Sequence, residues 1–146
     1  MQIMTSRFGS VSIEADDILV FPNGLIGFEQ HRHWVLLADS QNESVGWLQC
    51  LSNPQMAVPV VSPRRYVPEY QARVSQTQLE ALQLADEDSL YVLCVLGKHE
   101  GEFTMNLQAP VLVNLDRCLG CQVVTIDEQP LQHALRDLPL TLRKSA

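Results

Sequence analysis

Cys118 and Cys121, with Leu119 and Gly120 between them, form the one pair of side chains whose type and spacing suit metal or redox chemistry in this 146-residue chain. A C-x-x-C supplies half of a tetrahedral zinc site, and the other half requires two further Cys or His ligands, usually as a second close pair. Cys50 and Cys94 each stand inside an apolar run, where a thiol behaves as a small buried hydrophobe, and His99 has no second ligand at a suitable spacing. Redox use needs a βαβ setting with a thiol at a helix N-terminus, where its pKa falls, and the sequence around the pair does not read that way. His31 and His33 share a face if they lie on a strand, yet no third ligand accompanies them, and His133 is isolated. G-x-S-x-G, a phosphate-cradling glycine loop and H-E-x-x-H are all absent. The expectation is a protein with no catalytic residues, no metal and no cofactor, the rival being an enzyme that uses Cys118 and Cys121.

Ten basic and seventeen acidic side chains give a net charge of -7. Phosphate contact depends on clustered Lys and Arg, so this balance argues against direct nucleic-acid binding and favours a basic protein partner. With 46% hydrophobic residues the chain is long enough to bury one core, and no stretch approaches the roughly 18 apolar residues of a membrane span. Its opening residues, Met1 to Arg7, lack the basic segment and apolar run of a secretory signal, which points to the cytoplasm.

The elements that must position these residues read as short strands separated by turns. Ile3 and Thr5 alternate with polar neighbours, as do Val11 and Ile13, and Gly9-Ser10 between them suits a hairpin with one buried face. Further strands are predicted over residues 17–21, 34–38, 45–51, 57–61, 90–96, 103–107, 111–115 and 122–126, with Pro59 placing the fourth of these at a sheet edge or bulge. Ser75 to Gln78 has capping-box spacing and predicts a short helix with Leu79, Leu82 and Leu84 as its apolar stripe. Leu131, Ala134, Leu135 and Leu138 follow Pro130 at helical spacing, predicting a second helix that covers an open edge or docks a partner. Phe8, Phe21, Phe28, Trp34 and Trp47 are expected in the core. The fold class is mainly β, a single compact barrel-like domain of antiparallel strands with one or two short helices.

Taken in order, several fragments resemble the pattern of the FliW family, from Ile3 to about Ile126. They are Thr5-x-Arg7-Phe8-Gly9, Asp17-Ile18, Phe21-Pro22-x-Gly24-x-x-Gly27-Phe28, Trp47-Leu48-Gln49, Pro68-Glu69-Tyr70 and Asn106-Leu107-x-Ala109-Pro110, then Asn114, Arg117, Gly120 and Gln122-Val123. Gly24 and Gly27 suit a turn with positive φ, and Pro110 limits pairing where a strand bends. Ile26 stands where the family commonly has Pro, and Cys50 where Ser is usual. The resemblance implies a β-barrel-like domain that binds CsrA, a small basic RNA-binding translational regulator, and also binds flagellin. Flagellin that accumulates occupies the protein, and its export frees the protein to capture CsrA allosterically, away from the RNA-contacting surface.

Contact candidates are the polar and aromatic pattern positions Gln49, Glu69, Tyr70, Asn106 and Asn114, with the acidic turn Asp86-Glu87-Asp88. Asn at a strand-loop junction also bonds its own backbone, so Asn106 and Asn114 have a structural reading as well. The alternative to a FliW-like role is a β-barrel module that binds a small ligand or an unrelated protein.

Overall fold

The structure, a computed structural model, describes residues 1–135. Among the described residues eleven strands form: β1 (Gln2–Thr5), β2 (Gly9–Ser12), β3 (Ile18–Val20), β4 (His33–Ala38), β5 (Val45–Cys50), β6 (Ala57–Val61), β7 (Leu90–His99), β8 (Glu102–Met105), β9 (Val111–Asn114), β10 (Leu119–Gln122) and β11 (His133–Leu135). One helix, α1 (Gln76–Leu79), continues into a 3-10 turn over Glu80–Leu82. β1 and β2 pair only with each other. The remaining strands run β11-β8-β7-β6-β5-β4-β3-β10-β9, and an additional β7–β9 pairing closes the seven strands from β7 to β9 into a barrel. Closure removes the unpaired edges that an open sheet exposes.

β7 makes the closure possible by its length. Leu90 to Leu93 pair with β9, Leu96 to His99 pair with β8, and Cys94 and Val95 pair with β6. β8 and β9 are therefore one returning strand interrupted by an excursion from Asn106 to Pro110. Pro110 has no N–H for a ladder, and the Asn106 side chain accepts from the amides of Gln108 at 3.0 Å and Ala109 at 3.1 Å, so the excursion is held by its own turn. The barrel's parallel contact, Leu119 with Val20, joins β10 to β3 and is supported by Val20 N–H donating to the Cys118 carbonyl at 2.9 Å.

Neighbouring strand residues such as Trp47 and Leu48, or Val60 and Val61, point to opposite faces of the sheet, so one apolar cluster forms on each face. Trp34, Phe21, Leu48, Val60 and Val111 form one cluster, and Trp47, Val61, Cys94, Phe103 and Met105 a second. Burying each aromatic contributes about 1.5–3 kcal/mol or more, which explains Phe21, Trp34 and Trp47 as core. Phe28 departs from that expectation. It is 37% exposed and meets Trp34 edge-on at 6.4 Å between ring centroids.

Four further expectations are corrected. Pro59 lies on an inner strand, opposite Trp47 of β5, but β6 pairs with β7 only from Val60 onward, so the missing donor falls where the seam is open. The strand expected over 122–126 is displaced to Leu119–Gln122. Val123 and Thr125 do alternate buried against exposed Val124 and Ile126, but their amides bond the carbonyls of Pro110 and Gln108 in the excursion, so the periodicity reports one-sided burial without a sheet partner. The expected C-terminal helix is replaced at its start by β11, which pairs with β8 and buries Leu135, so a strand covers that edge; Leu138 lies outside the described residues. In the hairpin β1–β2 most side chains are exposed, and burial is confined to Thr5 and to Ile13 just beyond it.

Candidate partner-binding surface

The Ser75 hydroxyl caps α1 by accepting from the Gln78 amide at 3.3 Å. The Gln78 side chain does not bond the Ser75 backbone as the capping box predicts. Its Oε1 accepts from Val124 N–H at 2.8 Å and its Nε2 donates to the Val124 carbonyl at 3.1 Å, tying α1 to the segment after β10. The loop from Pro22 to Glu29 crosses the same end of the barrel. Gly24 and Gly27 adopt φ of 66° and 90°, and a Cβ on Gly24 would lie 2.6 Å from the Glu29 Cα, so both the conformation and the space require glycine there. Ile26 N–H donates to Gln122 Oε1 at 2.9 Å, and Gln122 Nε2 donates to the Ala109 carbonyl at 2.9 Å, which fastens the loop to β10 and to the excursion. Two open clefts flank Ile26. One, of about 540 Å³, runs toward α1 past Glu29 and Glu80; the other, of about 390 Å³, is walled by Phe28, Val58, Val95, Ala109, Val124 and Leu131.

The sequence-derived contact residues do not converge on one patch. Gln49 is fully buried, and its Nε2 donates to the carbonyls of Cys50, Asn53, Pro54 and Met56 at 3.0 to 3.3 Å, closing the turn between β5 and β6. Tyr70 is buried with its hydroxyl donating to the Leu107 carbonyl at 2.7 Å, and burial drives the phenol pKa well above its ordinary value, with Cys94 and Asp127 adding to the shift. Glu69 beside it is exposed. Asn106 holds the excursion. Asn114, fully buried, donates to the Leu82 carbonyl and to Asp88 Oδ2, both at 3.0 Å. Asp88 accepts as well from the Ala85 amide at 2.9 Å and from Arg117 Nε at 3.0 Å; the Ala85 bond is the first cause of its lowered pKa, followed by Asn114 and Arg117. Asp86 and Glu87 project from that turn into solvent.

The thiols are distributed through the packing. Cys50 and Cys94 are core residues, and burial pushes Cys94 up to about 12. Cys121 packs with Leu82, Leu112 and Val123, and burial pushes it up to about 11. Cys118, at φ 55°, packs instead beside the Phe21 and Trp34 cluster and directs its Sγ to the Asp16 carbonyl at 3.3 Å. Among the described residues no three His, Cys, Asp or Glu side chains are gathered for a metal ion. Sequence reasoning missed the exposed apolar group of Ile26, Phe28, Val124 and Leu131. Its signal was present in the outward half of the Val123 to Ile126 alternation and in the apolar Ile26 between two turn glycines.

A small closed β-barrel whose loops frame open clefts, with buried polar side chains committed to holding those loops, is the class that this geometry defines. The sequence matches the FliW protein family over residues 2–135. It is 37% identical over 129 residues to the flagellar assembly factor FliW of Bdellovibrio bacteriovorus, covering 87% of this chain and 74% of the relative. It is also 31% identical to that of Thermoanaerobacter pseudethanolicus, covering 92% and 93%. A crystal structure of the flagellar assembly factor FliW superposes with a TM-score of 0.82 at 28% identity, covering 96% of this chain and 99% of that one. The chain belongs to the FliW family of flagellar assembly factors. Among its described residues no helix is long and apolar enough to cross a membrane.

Proposed function

We propose that this chain acts in the cytoplasm as a flagellar assembly factor that holds CsrA and flagellin in alternation, coupling flagellin translation to flagellin export. The match to the FliW family over residues 2–135 carries this reading. The net charge of -7 supports a basic regulator as one partner, since complementary charge accelerates encounter and disfavours wrong partners. Binding away from the RNA-contacting surface of CsrA then relieves repression without any contact between this chain and nucleic acid. Of the sequence-derived candidates, Glu69, Asp86 and Glu87 present exposed carboxylates to a partner. Gln49, Tyr70, Asp88, Asn106 and Asn114 act through the loops that they fix.

A protein that regulates by occupancy must bind its two partners reciprocally, each weakening the other by the same factor. CsrA titrated into the free protein and into its preformed flagellin complex measures this. The expected result is a loss of at least 100-fold in CsrA affinity, corresponding to about 2.7 kcal/mol of coupling. Equal affinities with a stable ternary complex exclude the switch.

A further inference from the structure

The two clefts on either side of Ile26 share Leu25, Ile26 and Gln122 and so form one continuous trough across the end of the barrel. Its floor is apolar for a topological reason. β6 gains its β7 partner only at Val60, whose partner is Val95, and Pro59 offers no N–H beyond it; Val58 and Val95, half-buried against the core, line the cleft at this point. Its walls are apolar as well. Ile26 is 52% exposed, Val124 50% and Leu131 64%, on three separate parts of the chain, and Phe28 joins them. Scattered exposed hydrophobes are ordinary, but a grouping around one cleft marks an interaction site. The α1 end differs, since Glu29 and Glu80 line it and neither cleft is lined by a Lys or Arg among the described residues.

From this trough we infer that the chain captures an extended protein segment that carries an apolar residue beside a Lys or Arg. The apolar side chain enters the cleft between Phe28, Val95 and Val124, and the cation lies at Glu29 and Glu80. Charge complementarity selects this occupant over an uncharged small molecule, because the carboxylates are continuous with the apolar cleft and the whole chain is acidic. The inference rests on the reading that the chain works by holding protein partners, and it names the surface and the chemistry of the segment held.

The test uses a blocked decapeptide alternating Leu with Lys, its Leu/Glu counterpart, and CsrA itself, each titrated into the full chain. Wild-type protein is expected to bind the Lys peptide at least tenfold more tightly than the Glu peptide. Ile26→Asn and Val124→Asn are each expected to weaken the Lys peptide about tenfold, and Glu80→Gln about threefold with a shallower salt dependence. All three positions are exposed, and unchanged melting temperatures separate lost binding from lost folding. Retention of Lys-peptide affinity in both Asn variants overturns the assignment, as does concentration-dependent self-association of the wild type that Ile26→Asn abolishes, which gives the trough to a second copy. Peptide binding that obeys these expectations while CsrA fails to bind supports the trough and removes only the CsrA reading.

Discussion

Gly120 shows how one side chain, or its lack, sets the packing. A Cβ at this position would lie 2.6 and 2.7 Å from the two Cε atoms of Phe21, whose ring is fully buried and has nowhere to move. Gly120→Ala is expected to destabilise the fold by about 1–3 kcal/mol, the usual cost of overpacking, measured by urea denaturation. The cysteines make a second case. With Cys94 and Cys121 raised to about 12 and about 11 by burial, both remain thiols at pH 8, and only thiolates alkylate. Mass spectrometry after iodoacetamide treatment of native protein at pH 8 is expected to find Cys118 modified well before Cys94 or Cys121.

At the scale of elements, three turns depend on aspartates. Asp88 holds the turn before β7 through the Ala85 amide, Asn114 and Arg117. Asp127 accepts from the Gln129 side chain at 2.8 Å and the Arg73 amide at 3.2 Å. For Asp39 burial acts upward but is outweighed by the Trp47 indole, the Gln41 and Asn42 amides and the nearby Arg7. All three folded-state pKa values therefore lie below the ordinary 3.8. Between the folded and unfolded values the unfolded chain binds more protons, so stability rises with pH there. Their contribution is complete above 3.8 and is lost as pH falls through the folded values. Urea midpoints are expected to hold steady from pH 7 to about 5 and to drop steeply below about 4, with Asp88→Asn removing part of the drop.

At the scale of the whole molecule, the net charge of -7 acts on encounter more than on the grip between partners. Under the proposed function, association of the chain with CsrA is expected to slow as salt rises, by about tenfold between 50 and 500 mM, with dissociation changing less than threefold, as read by stopped-flow fluorescence. Neutralising Asp86 and Glu87 is expected to flatten that dependence without altering folding, because both carboxylates are exposed and among the described residues neither holds a turn as Asp88 does.

Local rules were enough to read most of the strands, the glycine turn at Gly24 and Gly27, the Ser75 cap and the buried character of Trp34 and Trp47, because turn chemistry and one-sided burial leave their mark within a few residues. The ordered fragments also carried the family. Pairing left no such mark. Alternation over Val123 to Ile126 is identical whether the neighbour is a strand or an irregular excursion, and the spacing of Leu131, Ala134 and Leu135 fits a helix until β8 offers an edge. Gln49, Tyr70 and Asn114 read as contact residues from their places in the family pattern, yet each is buried, Gln49 against carbonyls of the turn that follows it and Tyr70 and Asn114 against the distant carbonyls of Leu107 and Leu82. The trough around Ile26 is likewise assembled from the 22–29 loop, β6, β7 and the segment after β10. Burial and pairing depend on partners distant in sequence, so they were decided only when the barrel closed.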